Sequence, residues 1–529
     1  MKETRRSFVP LFVLLCGSLM MAQTAVTTYQ NDNNRSGANT HETILTPSNV
    51  SVSTFGRGIV FLVEGYVYAQ PLYVPNLSIN GTSHNVLFVA TEHDQIYAFD
   101  VNSGHELWET NFLAGTGPLI TVSTVSSSDV NCSDLVPEIG ITGTPVIDTA
   151  NNTMYVVVET KEINALTHLT NFYHRLHALD IRTGRDVVSP HIITGSAKGT
   201  GSGSVNGIIT FNPLLANQRP SLLLADGQVF VSWSSHCDLG EYHGWMMSFN
   251  QSSLAPSGIF ADTPNGYDGG FWGGGSGPAA DANGSIYAGT GNGLFDVTGG
   301  GIDYGDSVIR LTWSSLGISV ADYFTPWDQS YLDTTDGDLG SGGVVLLPNQ
   351  SGPYPHLLMQ VGKEGTIDLI NRDNMGHWHS GNDDQIVQTL PYVIGGVWGG
   401  PAFWNNNAYF GGSYTALEAF TFNPQTEQLS TAATSKSQQQ YGYPASTPSV
   451  SANGTTNGIV WTIEADNYPS TAVLHAYNAT NLATELYNSQ QNPSRDQAPL
   501  AVKFTVPTVA DGHVFVGGQN QVAVYGLLP

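Results

Sequence analysis

The residues best suited to chemistry lie between Asp338 and Asp373. This stretch reads DLGSGGVVLLP and, after a polar loop, LLMQVGKEGTIDLINRD. Asp338 is expected at the mouth of one strand and Lys363 at the start of the next hairpin, so that both lie at neighbouring inner edges of a repeated sheet. A carboxylate can accept a proton and a fixed ammonium can stabilise negative charge, so the two residues are a candidate base and a candidate cation. The alternatives are a solvated acidic turn for Asp338 and a surface position for Lys363.

Short β-strands must position these residues. The chain has 529 residues, of which 59 are Gly, 27 are Pro and only 11% are charged. This composition, which is also rich in Val, Thr and Tyr, is typical of many short strands joined by tight turns. The sequence therefore predicts an all-β protein.

A template recurs along the chain, with a Pro in a first strand, a Tyr or Phe in a second, and then Ala-Phe/Leu-Asp before a Gly turn. Eight copies are recognisable, and the mean step between Pro71 in the first and Pro507 in the last is about 62 residues. This period, with four strands per copy, predicts an eight-bladed β-propeller of four-stranded antiparallel blades. The last copy lacks a fourth strand, and the N-terminal strand Gly58 to Val63 (GIVFLV) is expected to supply it and close the ring.

The N-terminus has the layout of an export signal. Lys2, Arg5 and Arg6 precede the apolar run from Phe8 to Met21. We assign residues 1–22 to a signal peptide, 23–54 to a leader lying over one face of the ring, and 55–529 to the propeller. The general and the twin-arginine export routes both remain open. The expected location is the periplasm or the extracellular space.

The charge balance excludes several partners. Lys and Arg number 17 against 43 Asp and Glu, which gives a net charge of −26. Such a chain repels nucleic acids and anionic lipid surfaces. Beyond the N-terminus no apolar run approaches the roughly 20 residues that span a bilayer, so no membrane insertion is expected.

Three cysteines are present, and one of them lies in the signal peptide. In an oxidising compartment Cys132 and Cys237 either pair or remain two free thiols. The chain contains no Cys-x-x-Cys-His motif, so it carries no haem c, and an enzyme of this sequence would need an external electron acceptor.

The segment from Tyr97 to Gly104 (YAFDVNSG), and in related form Leu176 to Gly184, resembles the repeat of the pyrroloquinoline quinone (PQQ) family. The likeness covers essentially the whole mature chain. It implies a propeller of the quinoprotein alcohol dehydrogenase-like superfamily, with PQQ and Ca²⁺ as the expected cofactors.

The resemblance also implies roles for particular residues. Asp338 matches the catalytic carboxylate beside the calcium ion, and Lys363 matches a cation that reaches the quinone oxygens. Asn292, in GTGNGLFD, matches a calcium ligand, although a side chain that bridges a Gly-rich turn is the alternative. Asp238 and Glu241, in CDLGEYHGW, compete for the position of a second calcium ligand.

Other positions depart from the family. Its adjacent cysteine pair, which lies on one face of the quinone, has no counterpart. Tyr68 replaces a glutamate, and Trp272, the candidate for the tryptophan that stacks on the quinone, lies several residues early. The aromatic residues Trp398, Trp404, Tyr414 and Tyr443 would either line a sugar-binding mouth or, by default, pack between blades.

Two functions follow from these observations. The first is an exported oxidoreductase that oxidises an alcohol or sugar with PQQ and Ca²⁺. The alternative is a non-catalytic propeller that serves as a scaffold for a protein or glycan partner. The departures favour the scaffold, whereas the set of Asn292, Asp338 and Lys363 favours the enzyme.

Overall fold

The computed structural model describes residues 24–529 except 116, 118 and 467. The predicted signal peptide lies outside this range. None of the helices within it is both long and apolar enough to cross a bilayer.

Eight antiparallel sheets form the blades of a β-propeller, as predicted from the repeat. Each blade is given below from its innermost to its outermost strand. The first four blades comprise Leu72–Ile79, Thr82–Thr91, Gln95–Asp100 and Glu106–Asn111; Val146–Asp148, Thr153–Asn164, Thr170–Asp180 and Arg185–Asp186; Leu223–Ala225, Gln228–Ser235, Trp245–Asn250 and Pro256–Ala261; and Ala279–Ala280, Ile286–Gly289, Val308–Ser314 and Gly317–Phe324.

The second half of the ring repeats this arrangement. Blades 5 to 8 comprise Val345–Leu346, Leu357–Val361, Ile367–Asn371 and Gln388–Leu390; Ala402–Trp404, Asn407–Gly411, Thr415–Asn423 and Gln428–Leu429; Ser449–Asn453, Thr456–Glu464, Val473–Asn478 and Glu485–Asn488; and Thr508–Ala510, His513–Leu527 and Phe55–Tyr66.

The segments between blades carry the remaining elements. The additional strands are Ala38–Asn39, Ile120–Ser123, Val125–Ser126, Glu138–Ile139, His191–Ile192, Ser196–Lys198, Ile208–Thr210, Ala216–Asn217 and Ser435–Tyr441. The short helices are Ser127–Val130, Gly273–Gly275, Val297–Gly299, Gln329–Thr335, Leu339–Ser341 and Pro493–Asp496.

The N-terminal strand closes the ring. Phe55–Tyr66 pairs antiparallel with His513–Leu527, from Phe55 opposite Leu527 to Tyr66 opposite Gln519. This confirms the predicted closure. The eighth blade therefore joins the two ends of the propeller and leaves no open edge between the first and last repeats.

The hydrophobic core lies between neighbouring blades. Alternate residues of a strand face opposite sides of its sheet, so each blade presents an apolar face to the blade before it and another to the blade after it. For example, Tyr155 and Val157 of blade 2 share a buried cluster with Trp233 and Met247 of blade 3. The ring is thus a series of sheet-to-sheet packings around an axis.

Residues 24–54 cross one face of the ring. They make a hydrogen bond to the innermost strand of each blade in turn, and the partner residues in blades 1 to 8 are Tyr73, Ile147, Leu224, Ala280, Leu346, Phe403, Val450 and Val509. Arg35 of this leader is fully buried. Its guanidinium donates to Thr28 Oγ1 and to three backbone carbonyls, those of Tyr29, Leu222 and Pro278, at 2.7 to 3.2 Å.

Candidate functional site

Segments that lead into seven of the eight blades converge on one cavity, which therefore lies on the axis of the ring. Its volume is about 130 Å³. The residues that line it are Asp134, Arg219, Cys237, Asp238, Trp272, Gly274, Asp338, Ser341, Lys363, Trp398, Tyr443, Lys503 and Phe504. We call it the central cavity.

Asp338 and Lys363 form an ion pair in this cavity. Lys363 Nζ lies 2.7 Å from Asp338 Oδ2 and also pairs with Asp336. Burial raises the pKa of Asp338, and Lys363 and the backbone N–H of Asn292 offset part of that rise. Burial acts to lower the pKa of Lys363, but the two carboxylates outweigh it and raise that pKa. The pair is therefore a fixed cation beside a carboxylate that binds a proton more readily than an exposed one.

Asn292, in the neighbouring loop, fixes the position of the Asp338 carboxylate. Its backbone N–H donates to Asp338 Oδ1 at 2.7 Å, and its side-chain amide donates to Asp336 at 3.2 Å. Asn292 Oδ1 is buried and has no hydrogen-bond partner within the described chain. Gly291 permits this approach, because a Cβ there would lie 2.6 Å from both Asp338 Oδ1 and Trp272 Nε1.

The structure separates the two acidic candidates that follow Cys237. Asp238 lines the central cavity and accepts a hydrogen bond from the Tyr242 hydroxyl at 2.7 Å. Glu241 lies outside the lining, and its carboxylate is beside Gly203 in an outer loop. The reason is local, since positive φ angles at Cys237, Asp238 and Gly240 make a tight turn that carries Glu241 away from the axis.

Cys132 and Cys237 form a disulfide. Of the two alternatives for these cysteines, a disulfide and two free thiols, the disulfide is therefore the correct one. It lies at the cavity, although the two cysteines are not adjacent in the sequence. Trp272 lines the same cavity and donates from Nε1 to the carbonyl of Gly269 at 3.3 Å. Tyr68 packs against Cys132 instead of lining the cavity.

The opposite part of the cavity carries two basic residues. The Arg219 guanidinium lies 3.5 Å from the centre of the Phe504 ring, and Lys503 Nζ lies 5.8 Å from the same centre. Burial lowers the pKa of both bases. Within the described residues Arg219 Nη2 has no hydrogen-bond partner and no ion pair reaches Lys503. Two cations therefore face the cavity without a bound counter-charge, and Asp134 is the carboxylate that acts on both.

Aromatic rings continue this wall. Trp398 and Tyr443 make an edge-to-face contact with ring centres 5.0 Å apart, and Tyr443 and Phe504 make another at 6.3 Å. Both Trp398 and Tyr443 line the cavity, so they do not serve only as core between blades.

Sequence reasoning did not find Arg219, Lys503 or Phe504, because they belong to no motif of the repeat. One signal was available. Arg219 directly precedes Pro220, and Lys503 lies four residues before Pro507, so both bases stand just before the innermost strands of their repeats. Since the chain has only 17 Lys and Arg, two of them just before innermost strands are a sign of a cationic site on the axis.

No protein-family model matches the sequence, and no curated protein matches it significantly. Solved structures do match. A quinohemoprotein alcohol dehydrogenase from Comamonas testosteroni has a TM-score of 0.61 at 12% identity, covering 96% of this chain and 81% of its own. This chain has the fold of the quinoprotein alcohol dehydrogenases.

Two further structures support the same fold. A quinohemoprotein alcohol dehydrogenase from Pseudomonas putida HK5 has a TM-score of 0.59 at 12% identity, with 95% of this chain and 80% of that chain covered. A europium-containing methanol dehydrogenase has a TM-score of 0.60 at 11% identity, with 95% and 98% covered. At these identities the likeness establishes the propeller architecture, and function must be argued from the cavity.

Proposed function

We propose that this protein is an exported quinoprotein-like oxidoreductase that oxidises an alcohol or sugar with a planar anionic quinone of the PQQ type. The observation that carries this proposal is that two bases without a direct ion pair in the described chain lie beside aromatic rings in one axial cavity. Arg219 and Lys503 face the cavity beside the rings of Phe504, Tyr443 and Trp398.

A buried guanidinium that makes no direct ion pair is costly, and an anionic ligand that pairs with it lowers that cost. Arg219 is 7% exposed and has a free Nη2 donor. A planar polycarboxylate supplies carboxylate oxygens for the two bases and an aromatic face for the rings. The chain as a whole carries a net charge of −26 and has few Lys and Arg residues. The presence of two bases without a direct ion pair in one cavity therefore indicates a binding site for an anion.

The chain's own residues would hold the substrate proton. Asp338 is fixed by Lys363 and by the Asn292 N–H, and its raised pKa makes it a stronger base than an exposed aspartate. We assign Asp338 to accept the hydroxyl proton of the alcohol. The bound quinone would supply the acceptor for the hydride from the same carbon. Lys363 would stabilise negative charge that develops beside it.

The groups that line the cavity do not make a complete calcium site. Asn292 Oδ1 is a buried acceptor without a partner, and Asp238 and Asp338 supply carboxylates. Glu241 is elsewhere, and the ammonium of Lys363 already bonds Asp338 Oδ2. These groups fall short of the six to eight oxygens that calcium takes, so no step is assigned to a metal.

The size of the cavity favours the alternative function, a non-catalytic scaffold for a protein or glycan partner. Its volume of about 130 Å³ is below the roughly 300 to 1,000 Å³ typical of sites for drug-sized ligands. A tricyclic quinone would therefore require side chains such as Lys363 and Trp398 to move. The binding experiment below separates the two functions.

Export is part of the proposal. The Cys132–Cys237 disulfide is of the kind that persists in oxidising compartments, which supports a periplasmic or extracellular location. In that setting electrons would leave the reduced quinone through an external acceptor.

The test is a titration of the purified protein with PQQ, with and without Ca²⁺, followed by tryptophan fluorescence, since Trp272 and Trp398 line the cavity. We expect saturable binding, weakened at least about tenfold in Arg219→Met and unchanged in the exposed control Arg185→Met. Asp338→Asn should retain binding and lose dye reduction with alcohols. If the wild-type protein does not bind at micromolar PQQ, the oxidoreductase is rejected in favour of the scaffold.

A further inference from the structure

A second pocket lies beside the central cavity, between the end of blade 4 and the top of blade 5. Its volume is about 320 Å³, within the range of small-molecule sites. The lining residues are Pro326, Trp327, Asp328, Leu332, Gly337, Leu339, Gly362, Glu364, Thr366, Asp368, Gly381, Asn382, Asp383, Thr389, Pro391 and Tyr392. We call it the side pocket.

The two sites share walls but differ in chemistry. Asp338 and Lys363 line the central cavity, whereas Leu339, Gly362 and Glu364, their neighbours in sequence, line the side pocket. Three basic residues line the central cavity. The described lining of the side pocket contains no Lys or Arg.

Four carboxylates line the side pocket, those of Asp328, Glu364, Asp368 and Asp383. They interact with one another, because each of the other three raises the pKa of Asp368. A neighbouring imidazole, that of His379, acts in the opposite direction on Asp383. The pocket is therefore a region of negative potential.

Asp368 is the buried base of this pocket. It is 1% exposed, and its Oδ1 has no hydrogen-bond partner within the described chain. Its hydrogen bond to Thr389 offsets only part of the cost of burial. An unpartnered carboxylate oxygen at the wall of an open pocket is a strong acceptor that a cationic ligand would satisfy.

Aromatic and apolar side chains form the rest of the wall. Trp327 is 46% exposed and Tyr392 is 63% exposed. The faces of such rings attract organic cations. Leu332, Leu339 and Pro391 add apolar surface, which suits the carbon part of a ligand and not a hydrated metal ion.

The geometry points to an organic ammonium site in the side pocket, with Asp368 and Glu364 as the anionic contacts and Trp327 and Tyr392 as the aromatic ones. A metal ion is disfavoured, because no three carboxylates of the pocket bring ligand atoms within 4.8 Å of one another in the described chain. The proposal does not depend on a quinone in the central cavity.

The direct test is calorimetric titration of the full mature protein with benzyltrimethylammonium. This probe carries a permanent charge and an aromatic ring, and N,N-dimethylbenzamide is the neutral control of similar size. We expect saturable binding of the cation and at least about tenfold weaker binding of the amide.

Three variants locate the binding. Asp368→Asn and Glu364→Gln should each raise the Kd for benzyltrimethylammonium at least about fivefold. Glu106→Gln removes the same charge from an exposed outer strand and should leave the Kd unchanged. Glu364 is a half-exposed hairpin residue, so its variant keeps the test valid if Asp368→Asn does not fold.

The pH dependence gives an independent readout. Burial raises the pKa of Asp368 to about 8 and that of Asp383 to about 6, and Asp328 and Glu364 face the same space. Binding of a permanent cation should therefore strengthen between pH 6 and 9 and release protons. Equal affinity for the amide, an unchanged Kd in both pocket variants, or affinity independent of pH would each overturn the proposal.

Discussion

Lys363 is held between two carboxylates of different exposure. Asp338 is 8% exposed at its side chain and Asp336 is 69% exposed. An exposed pair contributes little to stability, whereas removal of one partner from a buried pair leaves an uncompensated charge. Asp338 is therefore the partner through which Lys363 acts on the stability of the fold.

The first prediction concerns this pair. Lys363→Met should lower the free energy of unfolding at pH 7 by about 3 kcal/mol, because Asp338 then remains buried without its counter-charge. The penalty should shrink below about pH 4, where Asp338 is protonated in both the folded and unfolded states. Urea unfolding at the two pH values checks this.

The matched control is Lys198→Met, which removes an exposed lysine. It should change stability by less than about 0.5 kcal/mol at either pH. A Lys363→Met penalty of the same size at pH 4 and pH 7 would contradict the assignment of the pair.

At the scale of elements, the leader stabilises the ring by contacting every blade. Its main chain and Asn side chains bond the innermost strands, and Arg35 lies buried where the leader crosses blades 3 and 4. Tyr29 of the leader lies between Arg35 and Arg219, and both bases act on its hydroxyl. The leader thus lies within electrostatic reach of Arg219, one of the bases that line the central cavity.

We expect Arg35→Met to destabilise the protein by on the order of 3 kcal/mol, because the carbonyls of Tyr29, Leu222 and Pro278 would lose a charged donor in a buried place. Chemical denaturation measures the loss. Arg185→Met, at an exposed outer strand, is the control and should be nearly neutral. Similar stability for both variants would show that the leader is only loosely attached.

Most of the fold could be predicted from the sequence, because the residues that set the strands and turns of each blade recur in every repeat. The Ala-Phe-Asp-Gly turns fix strand ends, and alternate apolar residues fix the faces of each blade. The strand GIVFLV had no unit of its own, which indicated the closure. The bonds of the leader were not predictable, because they join its main chain to strands scattered over the whole sequence.

Less of the site could be predicted. The turn motifs brought Asp238, Trp272, Asp338 and Lys363 to positions that line one cavity. Asp238 and Glu241 could not be told apart, because the outcome depends on backbone angles in the turn after Cys237. Arg219 and Lys503 reach the same cavity from opposite halves of the chain, and no local pattern relates them.

At the scale of the whole molecule, charge sets the dependence of stability on pH. The net charge is −26, and several buried carboxylates have raised pKa values. Burial raises the pKa of Glu92 to about 8 and that of Asp262 to about 6. Other carboxylates have lowered values; Asp180, paired with Arg182, is an example. The two classes act in opposite directions and in different pH ranges.

The last prediction follows from the signs of these shifts. A carboxyl whose folded pKa exceeds its unfolded value binds more protons when folded, so stability falls as pH rises between the two values, by about 1.4 kcal/mol per pH unit per group. For Glu92 this range runs from about pH 4.5 to about 8. Carboxyls with lowered pKa values lose their contribution to stability only below about pH 4.

We therefore expect maximal stability near pH 5 and a Tm that falls steadily from pH 5.5 to 8.5, measured by calorimetry at constant ionic strength. Glu92→Gln should reduce this slope, because it removes a buried group that releases its proton on unfolding in that range, and the exposed control Glu106→Gln should retain it. A Tm that rises toward pH 8.5 in the wild-type protein would mean that the buried carboxylates are ionised and paired throughout.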